Sequence, residues 1–452
     1  ATLIFAAVGL ALVTIGVVSH LLFRWVRNRS ESLGLWAQVV FVLGVAGSVY
    51  VVEKDSEVVA RQSLFDTWEN IDRSVGVYAE IKRGVQQGVY GDITDIELTQ
   101  NPRVHVYIVE SYGRAVLMKK IQEDFLEYRG ELSKRFRDDG WHMATGLSEA
   151  PVMGGRSWLA DATLLSGRTI KYESVYRHLA PKLKDISSIP RFFNQRGYRT
   201  ILMRPKDKAR PGVELVNYFG FTDTVFHKDL KYEGRNYGWV EIPDQFALGH
   251  IRDVVMPTLD GQPEFVFAHL GSSHIPWDGL PPILGDWRDL NETGNRRFKK
   301  EKGLTKKEIE FQLKRFKRKD EVRLRRLRPT SANVREYFQA IRYSMEVVAR
   351  HVIEMEDPPE LVVIMGDHQP PLYKKSNDFT VPIHVLARDP SLLKSFREHG
   401  FKRGLRFGRV KNRIYHEGFF SLLVGALAKS QGLEPPKFRR QGFGVSKKKG
   451  RK

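Results

Sequence analysis

The sequence contains no cysteine among its 452 residues. This absence excludes disulfide bonds, thiolate metal sites and a cysteine nucleophile. It does not exclude export, because an exported domain without cysteine needs no oxidative folding. Acidic residues are also few relative to basic ones, with 53 Asp and Glu against 73 Lys and Arg and a formal net charge of +20. This balance favours an anionic partner such as a lipid head group, a polyanion or nucleic acid.

Charge is almost absent from two stretches near the start, Ala1 to Phe23 and Leu33 to Val52. Each is long enough to cross a hydrocarbon core of about 30 Å, so we predict two transmembrane helices over residues 1–52; a buried hairpin is the alternative. The loop between them carries Arg24, Arg27 and Arg29, which the positive-inside rule places in the cytoplasm. We therefore expect a multi-pass protein of the cytoplasmic membrane, truncated upstream, with its remaining residues on the extracytoplasmic side.

From residue 101 onward apolar strands and amphipathic helices alternate, which is typical of an α/β domain with a mostly parallel sheet. We predict this domain over 101–430, after a helical juxtamembrane linker over 53–100. The predicted strands are Val104 to Val109, Arg199 to Met203, Glu264 to Leu270, Leu361 to Met365 and Pro382 to Ala387. The predicted helices are Ala115 to Phe136, Pro190 to Gln195, Val334 to Met355 and Tyr415 to Ala428.

Two segments are densely basic, an insertion over 296–328 and a C-terminal tail over 431–452. A solvated cationic surface is the simpler interpretation of both. If the insertion has a specific partner, we expect an anionic lipid surface. Nucleic acid is not expected, because the insertion lacks the interleaved aromatic residues of a single-strand binder.

Residues suited to metal binding follow three of the predicted strands: Glu110, His274, and the pair Asp367-His368 after Gly366. The carboxyl ends of parallel strands lie at one edge of a sheet, so these side chains can converge. Carboxylate and imidazole ligands suit zinc or manganese and do not choose between them. A tight turn that only hydrogen-bonds the backbone is the alternative for Asp367 and His368. A buried Glu110 without a partner would be costly, which favours the metal interpretation.

A candidate nucleophile follows the turn Gly154-Gly155, where Ser157 begins a predicted helix that runs to about Leu165. Free N–H groups and the helix dipole favour an anion at such a position. Ser157 could equally be an ordinary helix N-cap, and its position alone does not separate the two roles. A metal ion on its hydroxyl would lower the hydroxyl pKa and create a nucleophile.

Four motifs occur in an order typical of one known family: VYIVESYG with Glu110, Ser157 followed by Leu164 to Arg168, His274-Ile275-Pro276, and MGDHQP with Asp367 and His368. On these motifs the chain resembles the alkaline phosphatase superfamily, in its sulfatase-like branch. Within that branch it is most similar to the membrane-anchored lipoteichoic acid synthase and phosphoglycerol transferase group. The resemblance covers about residues 101–430 and the preceding membrane helices.

The resemblance implies an alkaline-phosphatase-like α/β/α sandwich. It also implies that Glu110, Ser157, Asp367 and His368 bind one divalent metal ion, Mn or Zn. Relatives often carry an Asp in the long helix before the last motif, where this chain has Tyr343-Ser344-Met345. A second metal ion is therefore left open.

By the same resemblance, the activity is metal-dependent transfer of a phosphoglycerol-type head group through a covalent Ser157 intermediate. The donor would be a membrane phospholipid similar to phosphatidylglycerol, and the acceptor a glycan or polymer. The residues implied to act on substrate are Arg156 and His274 as catalytic groups, and Arg235, Trp239 and His416 as binding groups. The alternatives are a phosphodiesterase or sulfatase-type hydrolase of the same fold, or a non-catalytic envelope scaffold.

One departure from the sulfatases bears on this choice. Sulfatases convert a Cys or Ser to formylglycine within a motif that carries Pro or Ala two residues later and Arg four residues later. The corresponding positions here are Leu159 and Asp161. An unmodified Ser157 is expected, which favours phosphoryl over sulfuryl chemistry.

Overall fold

The computed structural model describes residues 90–183, 187–208, 217–237, 241–277, 279–291, 330–373 and 378–443. The predicted transmembrane helices, most of the 53–100 linker, the insertion 296–328 and residues 444–452 of the tail lie outside these residues. Within the described ranges, no helix combines the length and apolar character needed to cross a membrane.

A nine-stranded mixed sheet lies at the centre of the domain. Its strands are β1 Val104–Val109, β2 His142–Glu149, β3 Arg199–Arg204, β4 Asp223–Phe226, β5 Glu264–Leu270, β6 Leu361–Gly366, β7 Thr380–Ala387, β8 Lys402–Arg403 and β9 Ile414–Tyr415. They lie in the order β4-β3-β5-β1-β6-β7-β2-β8, and β9 pairs with β2. Strands β4, β3, β5, β1 and β6 are parallel to one another, whereas β7 runs antiparallel to both β6 and β2.

The central strands β1, β5 and β6 are buried at every position. Parallel strands covered on both faces need apolar side chains at nearly every residue, which explains sequences such as VHVYIV and LVVIMG. Alternate residues of β1 point to opposite faces. Tyr107 and Val109 therefore belong to one hydrophobic core, and Val106 and Ile108 to the other.

Helices cover both faces of the sheet and complete a three-layer α/β/α sandwich. They are α1 Gly91–Thr94, α2 Gln122–Asp138, α3 Ser157–Ser166, α4 Glu173–Leu183, α5 Ile189–Asn194, α6 Asp244–His250, α7 Ser331–Ile353, α8 Lys394–Glu398 and α9 Phe419–Ser430. Helices α2, α6 and α7 contribute to the core that contains Tyr107. Helices α1, α3, α5, α8 and α9 contribute to the core on the other face. The predicted fold class is confirmed for the described residues.

Two predicted helices begin too early. Within the predicted helix Ala115 to Phe136, a short 3₁₀ turn over Arg114–Leu117 precedes α2, which starts only at Gln122. The predicted helix Tyr415 to Ala428 begins at Phe419, because Ile414–Tyr415 pairs with β2 as a short strand.

Strand β2 was not predicted, because polar residues interrupt its sequence HMATGLSE. Thr145 is buried, and its hydroxyl donates to the Gly404 carbonyl at 2.8 Å and lies 2.8 Å from His384 Nδ1. These partners lie far away in the chain, so a local pattern could not reveal that Thr145 belongs to a buried strand.

Two chain segments approach each other closely at Gly366, the last residue of β6, and leave no room for a side chain there. A Cβ atom at this position would lie 1.8 Å from the carbonyl oxygen of Tyr112. Since the obstacle is backbone, the chain cannot yield by moving a flexible side chain. The glycine thus allows the segment after β1 to lie directly against the end of β6.

We expect Gly366→Ala to lower the free energy of unfolding by about 3 kcal/mol or more, because the added methyl group overlaps backbone atoms. Denaturant unfolding of the full chain measures this loss. The matched control is Gly130→Ala, where a Cβ in helix α2 meets nothing within 4 Å. That control should gain roughly 0.5–1 kcal/mol from helix propensity. Equal stability of Gly366→Ala and the parent would contradict the close-approach explanation.

Candidate active site

The candidate site lies at the carboxyl edge of the parallel strands. Glu110 directly follows β1, Asp367 directly follows β6, and His269 is the second-last residue of β5. The strand register places the ends of β5 and β6 on either side of the end of β1. All three side chains are buried. The fold therefore brings these residues together, although Glu110 lies more than a hundred positions before each of the other two in the sequence.

Glu110, His269 and Asp367 form a cluster that could hold a metal ion, since each offers a ligand atom within 4.8 Å of the others. Asp367 Oδ1 accepts backbone N–H groups from Ser111 and His368, each at 2.7 Å. Asp367 Oδ2 is buried and has no hydrogen-bond partner among the described residues. His368 Nε2 lies 3.3 Å from this oxygen without a hydrogen bond between them, and a divalent cation would satisfy the buried oxygen. The donor set of carboxylates and imidazole fits Zn or Mn.

Two histidines direct their Nε2 atoms toward this cluster. His269 Nδ1 lies 2.8 Å from Asp161 Oδ2, and its Nε2 lies 3.3 Å from Glu110 Oε2. His368 Nδ1 lies 2.9 Å from the Gln369 carbonyl oxygen, and its Nε2 lies 3.3 Å from Glu110 Oε1. A partner at Nδ1 fixes the ring orientation and leaves Nε2 as the ligand atom, as in many metal sites.

Ser157 is the first residue of helix α3 and is buried. Its hydroxyl donates to Glu110 Oε2 at 2.9 Å and lies 3.4 Å from His368 Nε2. The N-cap of α3 is instead Arg156, in a left-handed conformation with φ 64°, and no side chain caps the helix. The Ser157 side chain thus faces the carboxylate cluster and does not cap its own helix.

The electrostatics of the cluster favour a bound cation. Burial raises the pKa of Asp367, and repulsion from Glu110 raises it further. Burial alone would raise the pKa of Glu110 as well, but Lys206, His269 and His368 outweigh this effect and hold it well below its usual range. Two buried carboxylates that repel each other are both stabilised in their charged form by a cation between them.

Three contributing residues escaped the sequence reasoning: Asp161, Lys206 and His269. Lys206, in the loop after β3, lies with its Nζ 2.5 Å from Glu110 Oε2 and 3.1 Å from His269 Nε2. The sequence held a signal for His269, which is the one imidazole in the apolar strand EFVFAHL. It also held one for Asp161, which lies one helical turn after Ser157 and so on the same helix face.

Asp161 accounts for the departure from the formylglycine motif. Its carboxylate accepts from Arg204 and lies within hydrogen-bonding distance of His269 Nδ1. Burial alone would raise the pKa of Asp161, but His269 and Arg204 lower it far below its usual range. The residue that stands where sulfatases carry Arg therefore orients a histidine of the cluster.

The structure brings two of the predicted substrate residues to the same region. His274 follows β5, and burial lowers its pKa to about 4. His416 is buried, with Nδ1 2.8 Å from Ser148 Oγ and with Nε2 lacking a hydrogen-bond partner among the described residues. Burial lowers the pKa of His416 to about 4, and the Asp367 backbone is among the groups that act on it. Both imidazoles are therefore neutral near pH 7.

For the remaining predicted substrate residues, Arg156, Arg235 and Trp239, the structure gives three different results. Arg156 is exposed beside Ser157, where a phosphate oxygen could reach it. Arg235 is exposed, and its guanidinium carbon lies 5.6 Å from the ring centroid of Tyr237. None of the contacts described for Arg235 joins it to the Glu110 cluster. Trp239 lies outside the described residues.

Asp244 holds the loop that carries His274. Its Oδ1 accepts the backbone N–H groups of Gly271 and Ser272 at 2.8 and 2.9 Å, and its Oδ2 accepts from Ser344 Oγ at 2.7 Å. Burial raises the pKa of Asp244. Ser344, in the long helix α7, thus anchors this loop through Asp244.

The family model for Sulfatase matches residues 154–408. This span includes Ser157, His269, His274, Asp367 and His368, whereas Glu110 and His416 lie outside it. No curated protein matches the chain.

Several solved structures are similar to this chain. The lipoteichoic acid synthase LtaP from Listeria monocytogenes is 14% identical, with 78% of this chain and 79% of that chain covered and a TM-score of 0.44. The phosphoglycerol transferase GacH from Streptococcus pyogenes, in complex with sn-glycerol-1-phosphate, is 16% identical, with 77% and 80% covered and a TM-score of 0.44. The C-terminal periplasmic domain of EcEptC from Escherichia coli, in complex with Zn, is 15% identical, with 72% and 82% covered and a TM-score of 0.44.

Proposed function

Because the chain belongs to the sulfatase family of the alkaline phosphatase superfamily, we propose that it transfers a phosphoglycerol-type head group from a membrane phospholipid to a glycan or polymer acceptor. The observation that carries this proposal is the position of Ser157 Oγ, 2.9 Å from Glu110 Oε2 and at the N-terminus of a ten-residue helix. This arrangement combines a hydroxyl nucleophile, a cluster suited to a cation and a helix end that favours a phosphate.

The residues that would hold a divalent ion are Glu110, Asp367, His269 and His368, with Ser157 Oγ facing them. A bound Mn or Zn ion would supply positive charge that lowers the pKa of the Ser157 hydroxyl and offsets charge on the phosphoryl oxygens. The protein supplies the orientation, because Asp161 and the Gln369 carbonyl fix the two imidazoles.

In the first step, Ser157 Oγ attacks the phosphorus of the lipid phosphodiester. The bond from Oγ to phosphorus forms, the bond from phosphorus to the lipid oxygen breaks, and the lipid leaves as an alcohol after gaining a proton. The Ser157 hydroxyl already donates to Glu110 Oε2, and the proton that Ser157 loses balances the proton that the leaving lipid oxygen gains. His274, half-buried beside the cluster, is neutral near pH 7 because burial lowers its pKa to about 4, so we assign it to position the leaving oxygen by hydrogen bonding.

In the second step, a hydroxyl oxygen of the acceptor bonds to the same phosphorus, the bond from phosphorus to Ser157 Oγ breaks, and the proton of the acceptor hydroxyl restores the Ser157 hydroxyl. The transferred group carries negative charge throughout, and two cationic side chains lie close to Ser157. Arg156 precedes it in the chain and is exposed, and Lys206 Nζ contacts Glu110 Oε2, the oxygen to which Ser157 donates. We propose that they bind the non-bridging phosphoryl oxygens, as preorganised positive groups do in phosphoryl transfer.

The proposed setting follows from the predicted membrane helices. A catalytic domain on the extracytoplasmic side of the cytoplasmic membrane would meet phosphatidylglycerol-like donors in the outer leaflet and a glycan or polymer of the envelope. The basic segments 296–328 and 431–452 would contact the anionic lipid surface.

The fate of the head group tests this proposal. The full chain is mixed with vesicles of phosphatidylglycerol labelled in the head-group glycerol, together with a cell-envelope glycan and Mn or Zn. Transfer predicts release of diacylglycerol and appearance of the label on the glycan. Label that appears only as free glycerol phosphate would show the hydrolase alternative. Absence of diacylglycerol with every metal tested would contradict phospholipid cleavage, and release of sulfate from an aryl sulfate would favour sulfatase activity.

A further inference from the structure

A cavity of about 820 Å³ lies between helix α2, the start of β2 and the segment after β8. Its lining includes five arginines and one tryptophan: Arg129, Arg137, Trp141, Arg397, Arg403 and Arg406. No acidic residue is among the described residues that line it. Leu126, Met143 and Leu405 add apolar wall.

This cavity, which we call the arginine groove, lies at the sheet edge opposite the candidate active site. His142 and Met143 in its lining begin β2, and His142 pairs with Ala387 of β7. Ala387 in turn pairs with Leu361, the first residue of β6, whereas the active site follows Gly366 at the other end. Five residues of strand separate the two ends by about 16 Å. The groove is therefore a separate site.

The guanidinium groups of this groove are poorly neutralised. Among the described residues, no carboxylate forms a salt bridge with Arg129, Arg397, Arg403 or Arg406. Arg397 Nε is buried without a hydrogen-bond partner. Burial lowers the pKa of Arg129 and of Arg397, and each also faces a second guanidinium, that of Arg406 and of Arg403 respectively. Several guanidinium groups around one cavity, with no carboxylate paired to them among the described residues, favour a bound anion.

We propose that the arginine groove is a non-catalytic binding site for an anion that carries several phosphate groups. Guanidinium forks match phosphate oxygens in pairs, which favours phosphate over a single carboxylate. Each terminal phosphoryl group carries about −1.5 to −2 charges near pH 7, so two or three of them balance the arginines of the lining. The cavity also falls in the roughly 300–1,000 Å³ range of sites for larger ligands, and a single phosphate would leave most of it empty.

The arginine groove is independent of the proposed transferase activity, because the groove and the active site lie at opposite sheet edges. Its occupant is held and not converted. Trp141 and the apolar wall would pack against the carbon part of an organic polyphosphate or of a phosphate-linked polymer. The shared chemistry that the groove recognises is a series of closely spaced phosphates.

Titration calorimetry of the full chain with inorganic tripolyphosphate tests the site. The active site also attracts phosphate, so the measured quantity is the loss of one binding event per chain. The variant Arg397→Gln/Arg403→Gln is expected to lose that event or to weaken its Kd at least tenfold, since two of the charged hydrogen-bonding groups are removed. Inorganic phosphate alone should bind the parent groove much more weakly than tripolyphosphate does.

The matched control is Arg177→Gln/Arg335→Gln, which removes the same charge at exposed positions on α4 and α7. It should retain the binding event, and circular dichroism should show that both double variants are folded. Equal tripolyphosphate binding by the two double variants would overturn the proposal. A groove variant that loses only binding to phosphatidylglycerol vesicles, with tripolyphosphate binding unchanged, would also overturn it and would indicate a lipid head-group site instead.

Discussion

Ser157→Ala is expected to lower the rate of head-group transfer by about 10⁴-fold or more, as removal of a catalytic nucleophile does in other enzymes. The hydroxyl of Ser157, the proposed nucleophile, lies 2.9 Å from Glu110 Oε2. Glu110 keeps Lys206, His269 and His368 as partners in the variant. The free energy of unfolding should therefore fall by only about 1 kcal/mol, the value of one hydrogen bond.

The control is Ser166→Ala, at the other end of helix α3. Ser166 Oγ donates to the Ala162 carbonyl oxygen within the helix and does not contact the Glu110 cluster. This variant should transfer at close to the parental rate. Transfer rates and thermal denaturation of the two variants separate a chemical role from a structural one. An active Ser157→Ala variant would show that the nucleophile is another residue.

Glu110→Gln is expected to reduce the rate by roughly 10³-fold, because several kcal/mol of charge stabilisation at the cation site is lost. Glutamine keeps the shape of the side chain but removes the charge that Ser157, Lys206 and His269 contact. The metal content of the purified full chain should fall in parallel. A chelator should abolish the activity of the parent, and added Mn or Zn should restore it.

Glu264→Gln is the control for loss of a buried carboxylate. Glu264 is buried at the opposite end of the same sheet, 3.0 Å from His105 Nε2. Its replacement should lower stability, since a buried pair is broken, but should leave the metal content unchanged. If Glu110→Gln retains metal and activity, or if both variants lose metal equally, Glu110 is not a specific ligand.

The parts of the fold that the sequence predicts well are those in which local pattern and tertiary environment agree. Strands β1 and β5 match their predicted bounds, because both are central and covered on both faces, so nearly every residue must be apolar. Strand β2 is the opposite case. Its buried Thr145 and Ser148 are tolerated only because His384 and His416 hydrogen-bond them, and these partners are fixed by the fold.

The candidate site shows the same division. Glu110, Ser157, Asp367 and His368 stand at ends of elements, where chemistry is expected, and the structure brings them together. The local sequence of a strand does not show which strands lie beside it in the sheet. Only the order β3-β5-β1-β6 places the loop after β3, and hence Lys206, against Glu110. For the same reason, the position of Arg235 in the sequence could not show whether its side chain lies near the site.

The most direct test of the account is mass spectrometry of the peptide that contains Ser157. The full chain is incubated with phosphatidylglycerol and Mn or Zn but without an acceptor, and the reaction is then stopped with acid. Covalent catalysis by Ser157 predicts a glycerol phosphate ester on this residue that disappears when an acceptor is added and is absent from Ser157→Ala. Release of diacylglycerol with an unmodified Ser157 peptide, or with the ester on another residue, would contradict it.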